Sequence, residues 1–213
     1  MLERYRLGTA LLTLLLFSGF ATSPARADIL QFTPYLGVDA MIWEATADDT
    51  LWRNFRIEDS DVISPEFSST GVRFRGGVNI LRFLGVEAHV GMGGSQRTTI
   101  RELDNEDELT APISVGYRVD RLTSAFVRGI LPLGNDIGIY GLLGITEVKG
   151  THRLSDEPGF SQSSQRTTTG TSFGGGVEAR LLENLHLTLE YVSYVDETDL
   201  ELTALLGGLR WSF

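Results

Sequence analysis

The segment LHLTLEYVSYV, residues 185–195, puts Leu185, Leu187, Leu189, Tyr191, Ser193 and Val195 on one parity, with His186, Thr188, Glu190, Val192 and Tyr194 on the other. Strand side chains alternate between two faces, so this period describes a strand with one apolar and one polar face. The pattern returns along the chain. Residues 71–80 set Val72, Phe74, Val78 and Ile80 against Arg73, Arg75 and Asn79. Residues 84–92 set Leu84, Val86, Ala88, Val90 and Met92 against Glu87 and His89. Residues 169–181 set Phe173, Val177, Ala179 and Leu181 against Ser172, Glu178 and Arg180. The last strand sets Leu205, Leu209, Trp211 and Phe213 against Ala204, Gly208, Arg210 and Ser212. Weaker alternation over 32–43, 123–131 and 137–149 brings the expected strands to eight. Most are close to the roughly 9–11 residues that cross a bilayer when tilted.

The connections alternate in length. Three are tight, near 81–83, at PLGND (132–136) and at 182–184. Three are long and polar, at 44–67, 93–121 and 150–167, and the last, 196–200, is short and acidic. Tight turns on one side and long loops on the other predict an all-β, eight-stranded antiparallel up-and-down transmembrane barrel with both termini on the periplasmic side. Residues 112–119, PISVGYRV, either extend the fourth strand or form a small hairpin, with ten strands as the alternative.

Alternation alone fits a soluble lipocalin-like barrel equally well, with the apolar face inward. Charge placement separates the two. The polar faces carry Asp39, Glu87, Glu178 and Glu190 beside Arg73, Arg75, Arg128, Arg180 and Arg210, with His89 and His186. The chain has one lysine, Lys149, at a strand end. A water-facing surface needs no such balance of sign. A lumen barely wide enough for its own side chains does, because buried ions must pair. Arginine, with its planar fork of donors, suits such a place. These residues are expected to form one lumenal ion network. The turn near Arg82 places His89 opposite Arg75, with Glu87 diagonal to it. Gly77, Gly85, Gly91, Gly174, Gly176 and Gly208 share the polar parity and are expected to make room for guanidinium groups.

The first 27 residues carry Arg4 and Arg6, an apolar run over 7–21, and Ala25-Arg26-Ala27. That order is a secretory signal peptide, expected to be cleaved after Ala27 to leave residues 28–213 as one barrel domain. The chain has no cysteine, which removes lipid attachment, disulfides and thiolate chemistry. Residues 28–213 hold 15 basic and 27 acidic side chains, which argues against nucleic acid as a partner. TSFGGG (171–176) lacks the Lys-Ser/Thr of a phosphate loop and opens no helix.

FTPYLGVDAMIW, ILPLGNDIGIYGLLGI, LHLTLEYVSYVDETD and LLGGLRWSF together resemble the small outer-membrane β-barrel proteins, similar to the OmpA-like transmembrane domain. The resemblance implies an outer-membrane location, no catalysis, no cofactor and no metal. Its implied partners are outer-membrane lipid and lipopolysaccharide, with a monomeric state. Trp211 and Phe213 sit on the lipid parity at the periplasmic rim, where aromatic girdles lie. A strand ending in Phe213 also resembles the terminal signal read by the outer-membrane assembly machinery. The soluble cell-wall-binding domain of full-length OmpA has no counterpart here, so no tethering role is carried over.

Three functions fit these residues. The first is a non-enzymatic barrel with a plugged lumen that supports the envelope. The second is a lipid A-modifying enzyme, for which His152, Ser155 and Asp156 are the only candidate set close in sequence. The third is a loop-borne binding protein. Its acidic loops hold Asp48, Asp49, Glu58, Asp59 and Asp61, then Asp104, Glu106, Asp107 and Glu108. Their oxygens suit a divalent cation, although no calcium-loop spacing is present.

Overall fold

Alternating residues form strands throughout the part of the chain that the computed structural model describes, residues 30–47, 66–100, 113–156, 160–197 and 200–213. In chain order these are β1 (Leu30–Ala47), β2 (Glu66–Leu81), β3 (Leu84–Gly93), β4 (Ser95–Ile100), β5 (Ile113–Leu133), β6 (Ile137–Asp156), β7 (Phe160–Arg180), β8 (Leu185–Glu197) and β9 (Leu200–Ser212). The expected leader and the acidic runs at 48–61 and 104–108 lie outside the described residues.

Neighbours run β3-β2-β1-β9-β8-β7-β6-β5, and pairing of β3 with β5 closes the ring. The result is an eight-stranded antiparallel barrel with one extra strand. That strand, β4, continues the course of β3 beyond Gly94 and pairs with the upper part of β5, from Ser95 opposite Arg118 to Ile100 opposite Ile113. Residues 113–119 extend the fourth strand of the ring, so the ten-stranded alternative does not apply. The ends of the described barrel meet at the short-turn side, where the Phe213 amide donates to the Pro34 carbonyl at 3.0 Å. Gly134, with φ 84, supplies the left-handed residue of the β5–β6 turn, a conformation costly for any residue with a Cβ.

Outward positions at the short-turn end are apolar on every strand of the ring. On β6 they are Ile137, Ile139, Leu143 and Ile145, and on β9 Leu205, Leu209, Trp211 and Phe213, all exposed. The band covers about nine residues of each strand, close to the ~25 Å apolar belt of an outer-membrane barrel once the strands tilt. Phe32, Phe83, Trp211 and Phe213 are exposed at the short-turn rim of this belt. A soluble barrel would bury this face, and here Leu143 is 64% exposed and Ile145 62%.

Beyond the belt the two faces exchange character. On β5, Val115, Tyr117 and Val119 are buried, and Arg118 and Arg121 point outward. On β6, Val148 is buried between outward Glu147 and Lys149. On β1, Trp43 and Ala45 are buried on either side of exposed Glu44. The stretches at 95–100, 120–121, 150–156 and 160–167, expected as loop, are strand for this reason, as is 113–119, where a strand extension or a hairpin is expected. In water the strand keeps its period but turns its apolar face inward, so a pattern read for lipid on one fixed parity breaks off there.

Two bulges complete the inversion. One between Val119 and Arg121 leaves Asp120 as the extra residue, which faces Thr151 and Gln165 on neighbouring strands. The other, between Ser193 and Val195, carries Val195 into the interior, although strict alternation assigns it to the outer face. An extra residue in one strand reverses the parity beyond it.

Placing an arginine in mid-belt tests the orientation. Leu143→Arg is expected to destabilise the barrel in lipid bilayers by about 2–4 kcal/mol, read from urea refolding curves. Ser163→Arg, well beyond the belt, is expected to change stability by less than about 0.5 kcal/mol.

Candidate functional site

The belt half of the interior is ionic. Arg73 and Arg75, two residues apart on β2, point inward together and meet carboxylates from three other strands. Arg73 Nε and Nη2 donate to Asp39 Oδ2 at 3.0 and 2.8 Å, and its Nη1 reaches Glu190, the Tyr194 hydroxyl at 2.9 Å and His89 Nδ1 at 3.2 Å. Arg75 lies 3.1 Å from Asp39 Oδ1, 3.2 Å from Glu190 Oε2 and 4.0 Å from Glu87 Oε1. Glu87 also accepts from the Tyr35 hydroxyl at 2.5 Å and lies 2.5 Å from His89 Nε2. Glu190 accepts from Tyr140 at 2.9 Å.

Nearer the short-turn end, Glu178 holds two arginines, Arg128 Nη2 at 2.6 Å and Arg210 Nη2 at 3.1 Å. Arg128 Nε, 3.9 Å from Glu87 Oε2, joins this group to the first. The guanidinium of Arg128 lies 4.1 Å from the Tyr140 ring centre, and that of Arg210 lies 4.9 Å from the Tyr35 ring centre. Asp39, Glu87, Glu178 and Glu190 thus face Arg73, Arg75, Arg128 and Arg210, a set of equal and opposite formal charge. Such a group holds ions that would each cost several kcal/mol if unpaired.

The structure places His89 opposite Arg75 in the β2–β3 register, and the side-chain contacts of His89 are to Arg73 and Glu87. Arg180 is exposed at the short-turn rim and makes no ion pair among the described residues. His186, half-buried beside it, lines a mouth cavity of about 250 Å³ with Arg82, Glu178 and Arg180. Tyr35, Tyr140, Tyr194 and Thr188 join the network without having been singled out in the sequence. Their inward parity was the available signal. Of the six glycines of the polar parity, two make room for rings and none directly for a guanidinium group, a role taken instead by Gly37, where a Cβ would meet Arg75 Nε at 2.7 Å. A Cβ at Gly77 would meet the Tyr35 ring at 2.5 Å, and one at Gly176 the Tyr140 ring at 2.7 Å.

Above the ions the interior is apolar. Met41, Trp43, Phe67, Leu122, Val148, Leu202 and Leu206 belong to one buried cluster. Trp43 and Phe67 pack on Tyr117 with ring centres 6.0 and 5.9 Å apart. The His152 ring also packs on Tyr117, tilted, with ring centres 4.8 Å apart. The His152 ring is therefore inside the barrel and does not face lipid beside Ser155. Burial, with the Arg166 charge nearby, pushes its pKa down to about 4. On the outside, Asp120 is held below the usual carboxylate range. Burial acts upward on it, but donation from Thr151, Gln165 and Arg118 outweighs that. Among the described residues no group of three or more His, Asp or Glu side chains could hold a metal.

A family model, the outer membrane protein beta-barrel domain, matches residues 12–213 of this barrel-forming chain. The chain belongs to the outer-membrane β-barrel protein family. Its place is therefore the bacterial outer membrane. Ail, the attachment invasion locus protein of Yersinia pestis, solved in complex with the heparin analogue sucrose octasulfate, is similar in fold. It is 15% identical, with 86% of this chain and 100% of that chain covered and a TM-score of 0.54. Neisserial surface protein A is 15% identical, over 84% of this chain and 97% of that one, at a TM-score of 0.50. OprG from Pseudomonas aeruginosa is 12% identical, over 87% and 97%, also at 0.50. At these identities the likeness concerns the fold alone. Comparison with curated protein sequences gives no match.

Two measurements probe the interior of this family member. Arg73→Met and Glu190→Gln are each expected to cost about 3–5 kcal/mol in refolding stability, because each leaves a buried charge unpaired. The double variant is expected to cost at least ~1 kcal/mol less than the sum. For His152, a depressed folded-state pKa means that its stabilising contribution is complete above the unfolded value near 6.5 and falls away as pH drops toward 4. Wild type is expected to lose urea resistance over that interval, and His152→Gln to lose measurably less.

Proposed function

We propose that this protein is a non-enzymatic outer-membrane barrel with a closed lumen, which presents its extracellular wall and loops for binding and adds a stable element to the envelope. The observation that carries this reading is the double seal, in which paired ions fill the belt half and a cluster around Trp43 and Tyr117 fills the half above it. Eight strands leave an interior just wide enough for side chains, and the paired ions and buried rings inside it support a closed lumen. Binding is assigned to the upper wall because β4, β5, β6 and β7 rise past the belt and carry polar side chains outward. Ail, a fold neighbour named for attachment and solved with a sulfated ligand, makes a surface-binding role a reasonable one for the same architecture.

In this reading the leader directs export and is removed after Ala27, both termini lie in the periplasm, and the barrel works as a monomer. Its standing partners are lipid and lipopolysaccharide. The assembly machinery takes the C-terminal strand, with Trp211 and Phe213 as its recognition end. The enzymatic alternative loses its best candidate, because the His152 ring is packed on Tyr117.

Planar-bilayer recording of the refolded protein is expected to show no large, stable conductance, and sustained porin-sized openings would contradict the closed lumen. In membrane fractions the protein is expected to run at two gel mobilities, one folded before boiling and one unfolded after it. His152→Ala is expected to leave the lipid A profile of the cells unchanged.

A further inference from the structure

Just above the belt the outer wall of the barrel is electrically lopsided. Glu44, Glu66 and Glu201 point outward on β1, β2 and β9. On β4, β5 and β6 the outward positions instead hold Arg97, Arg118, Arg121, Lys149 and Arg153. Among the described ion pairs, the acids that meet these five cations are Asp120, 2.6 Å from Arg118, and Glu147, 3.6 Å from Arg121. Arg97, Lys149 and Arg153 make no ion pair among the described residues. In a chain of formal net charge −10 this is a concentrated reversal of sign.

The cations are arranged as a ladder. Arg121 pairs in register with Lys149, four residues beyond Ile145, an exposed apolar side chain at the upper edge of the belt on β6. At ~3.3 Å per residue this is roughly 13 Å along a tilted strand, the level of a lipid headgroup. Arg153 stands four residues higher. Gly116 lies between Arg97 and Arg153 in the cross-strand row, so two guanidinium groups flank a position without a side chain. A Cβ at Gly116 would come within 3.3 Å of Arg97 Cγ and 3.8 Å of Arg153 Cβ. The gap is a notch of about 70 Å³ lined by Ser95, Arg97, Gly116, Arg118, Thr151 and Arg153. Hydroxyls and arginine forks around a small open space are the donor set for a phosphate group.

We infer that this notch binds a sugar-linked phosphate of an outer-leaflet glycolipid, with Arg121 and Lys149 contacting phosphate nearer the acyl chains. The inference rests on the outer-membrane reading and assigns a site to its lipopolysaccharide partner. A glycolipid is favoured over a soluble anion because the ladder starts at the belt and faces sideways, toward neighbouring lipid. The acidic wall opposite repels the same groups, which fixes one side of the barrel for the ligand.

The test uses the full-length barrel refolded in detergent micelles and native mass spectrometry of bound glycolipid. The probes are deep-rough lipopolysaccharide, the same material stripped of sugar phosphates with aqueous hydrofluoric acid, and inorganic phosphate. Wild type is expected to retain the phosphorylated form at least about tenfold more tightly than the stripped form. The R97Q/R118Q/R153Q variant and Gly116→Leu, which fills the notch and keeps every charge, are each expected to lose about tenfold, and E44Q/E201Q is expected to bind as wild type does. Equal retention by wild type and R97Q/R118Q/R153Q, wild-type binding by Gly116→Leu, or full displacement by excess inorganic phosphate would overturn the proposal. Heat-modifiable gel mobility of each variant reports separately on the barrel. Its absence from wild type would sink the membrane reading, whereas a folded barrel without phosphate-dependent binding sinks only the site.

Discussion

Within the belt, each strand of the ring has hydrocarbon on one side and a narrow interior lined by buried ions on the other. A backbone that exposes no unpaired edge satisfies the first condition, and the ring closed between β3 and β5 provides it. The second condition is harder. Charged side chains turned away from lipid have almost no water to solvate them. They are stable only where a carboxylate meets a guanidinium with further donors around both. Arg73 meets that demand by touching Asp39, Glu190, His89 and Tyr194 at once. Without such pairing the lumen would have to be apolar or wet, and an apolar lumen would remove the alternation that directs the strands.

The medium changes along each strand, and the side chains follow it. In the belt the outer face is Leu, Ile, Val and Phe, and the inner face is ionic. Beyond it the outer face is Arg, Lys, Glu and Thr, and the inner face packs Trp43, Phe67 and Tyr117. The lower half is thus organised as a membrane barrel and the upper half as a soluble one, on the same eight strands. Bulges at Asp120 and Tyr194 lie near the transition. There an extra residue lets one strand change parity without breaking the ladder.

Most of the belt was legible in the sequence. Its outer positions, the tight turns and the inward arginines and carboxylates all follow from period two and from the need to pair buried charge. The opposition of Arg75 and His89 follows from the length of one turn. What escaped were features that depend on three dimensions. Most of the upper strands read as loop in the sequence, and PISVGYRV reads as either strand extension or hairpin, because apolar residues such as Tyr117 and Val119 change sides when the solvent changes. Strict alternation sends Val195 outward, because a bulge cannot be seen in it. His152, close in sequence to Ser155 and Asp156, reads there as a catalytic candidate, whereas its ring lies against Tyr117. The ladder of outward cations was hidden in segments read as loop, and only the β4–β5–β6 register lines up Arg97, Gly116 and Arg153.

The exchange of inner and outer character along one strand is most directly tested by spin labels on β6 in a lipid bilayer. Collision with oxygen and with a water-soluble nickel chelate would be compared at positions 143 and 153. The account predicts oxygen-dominated collision at 143 and nickel-dominated collision at 153, both on the outer face. Strong nickel access at 143, or a dry oxygen-rich site at 153, would contradict it.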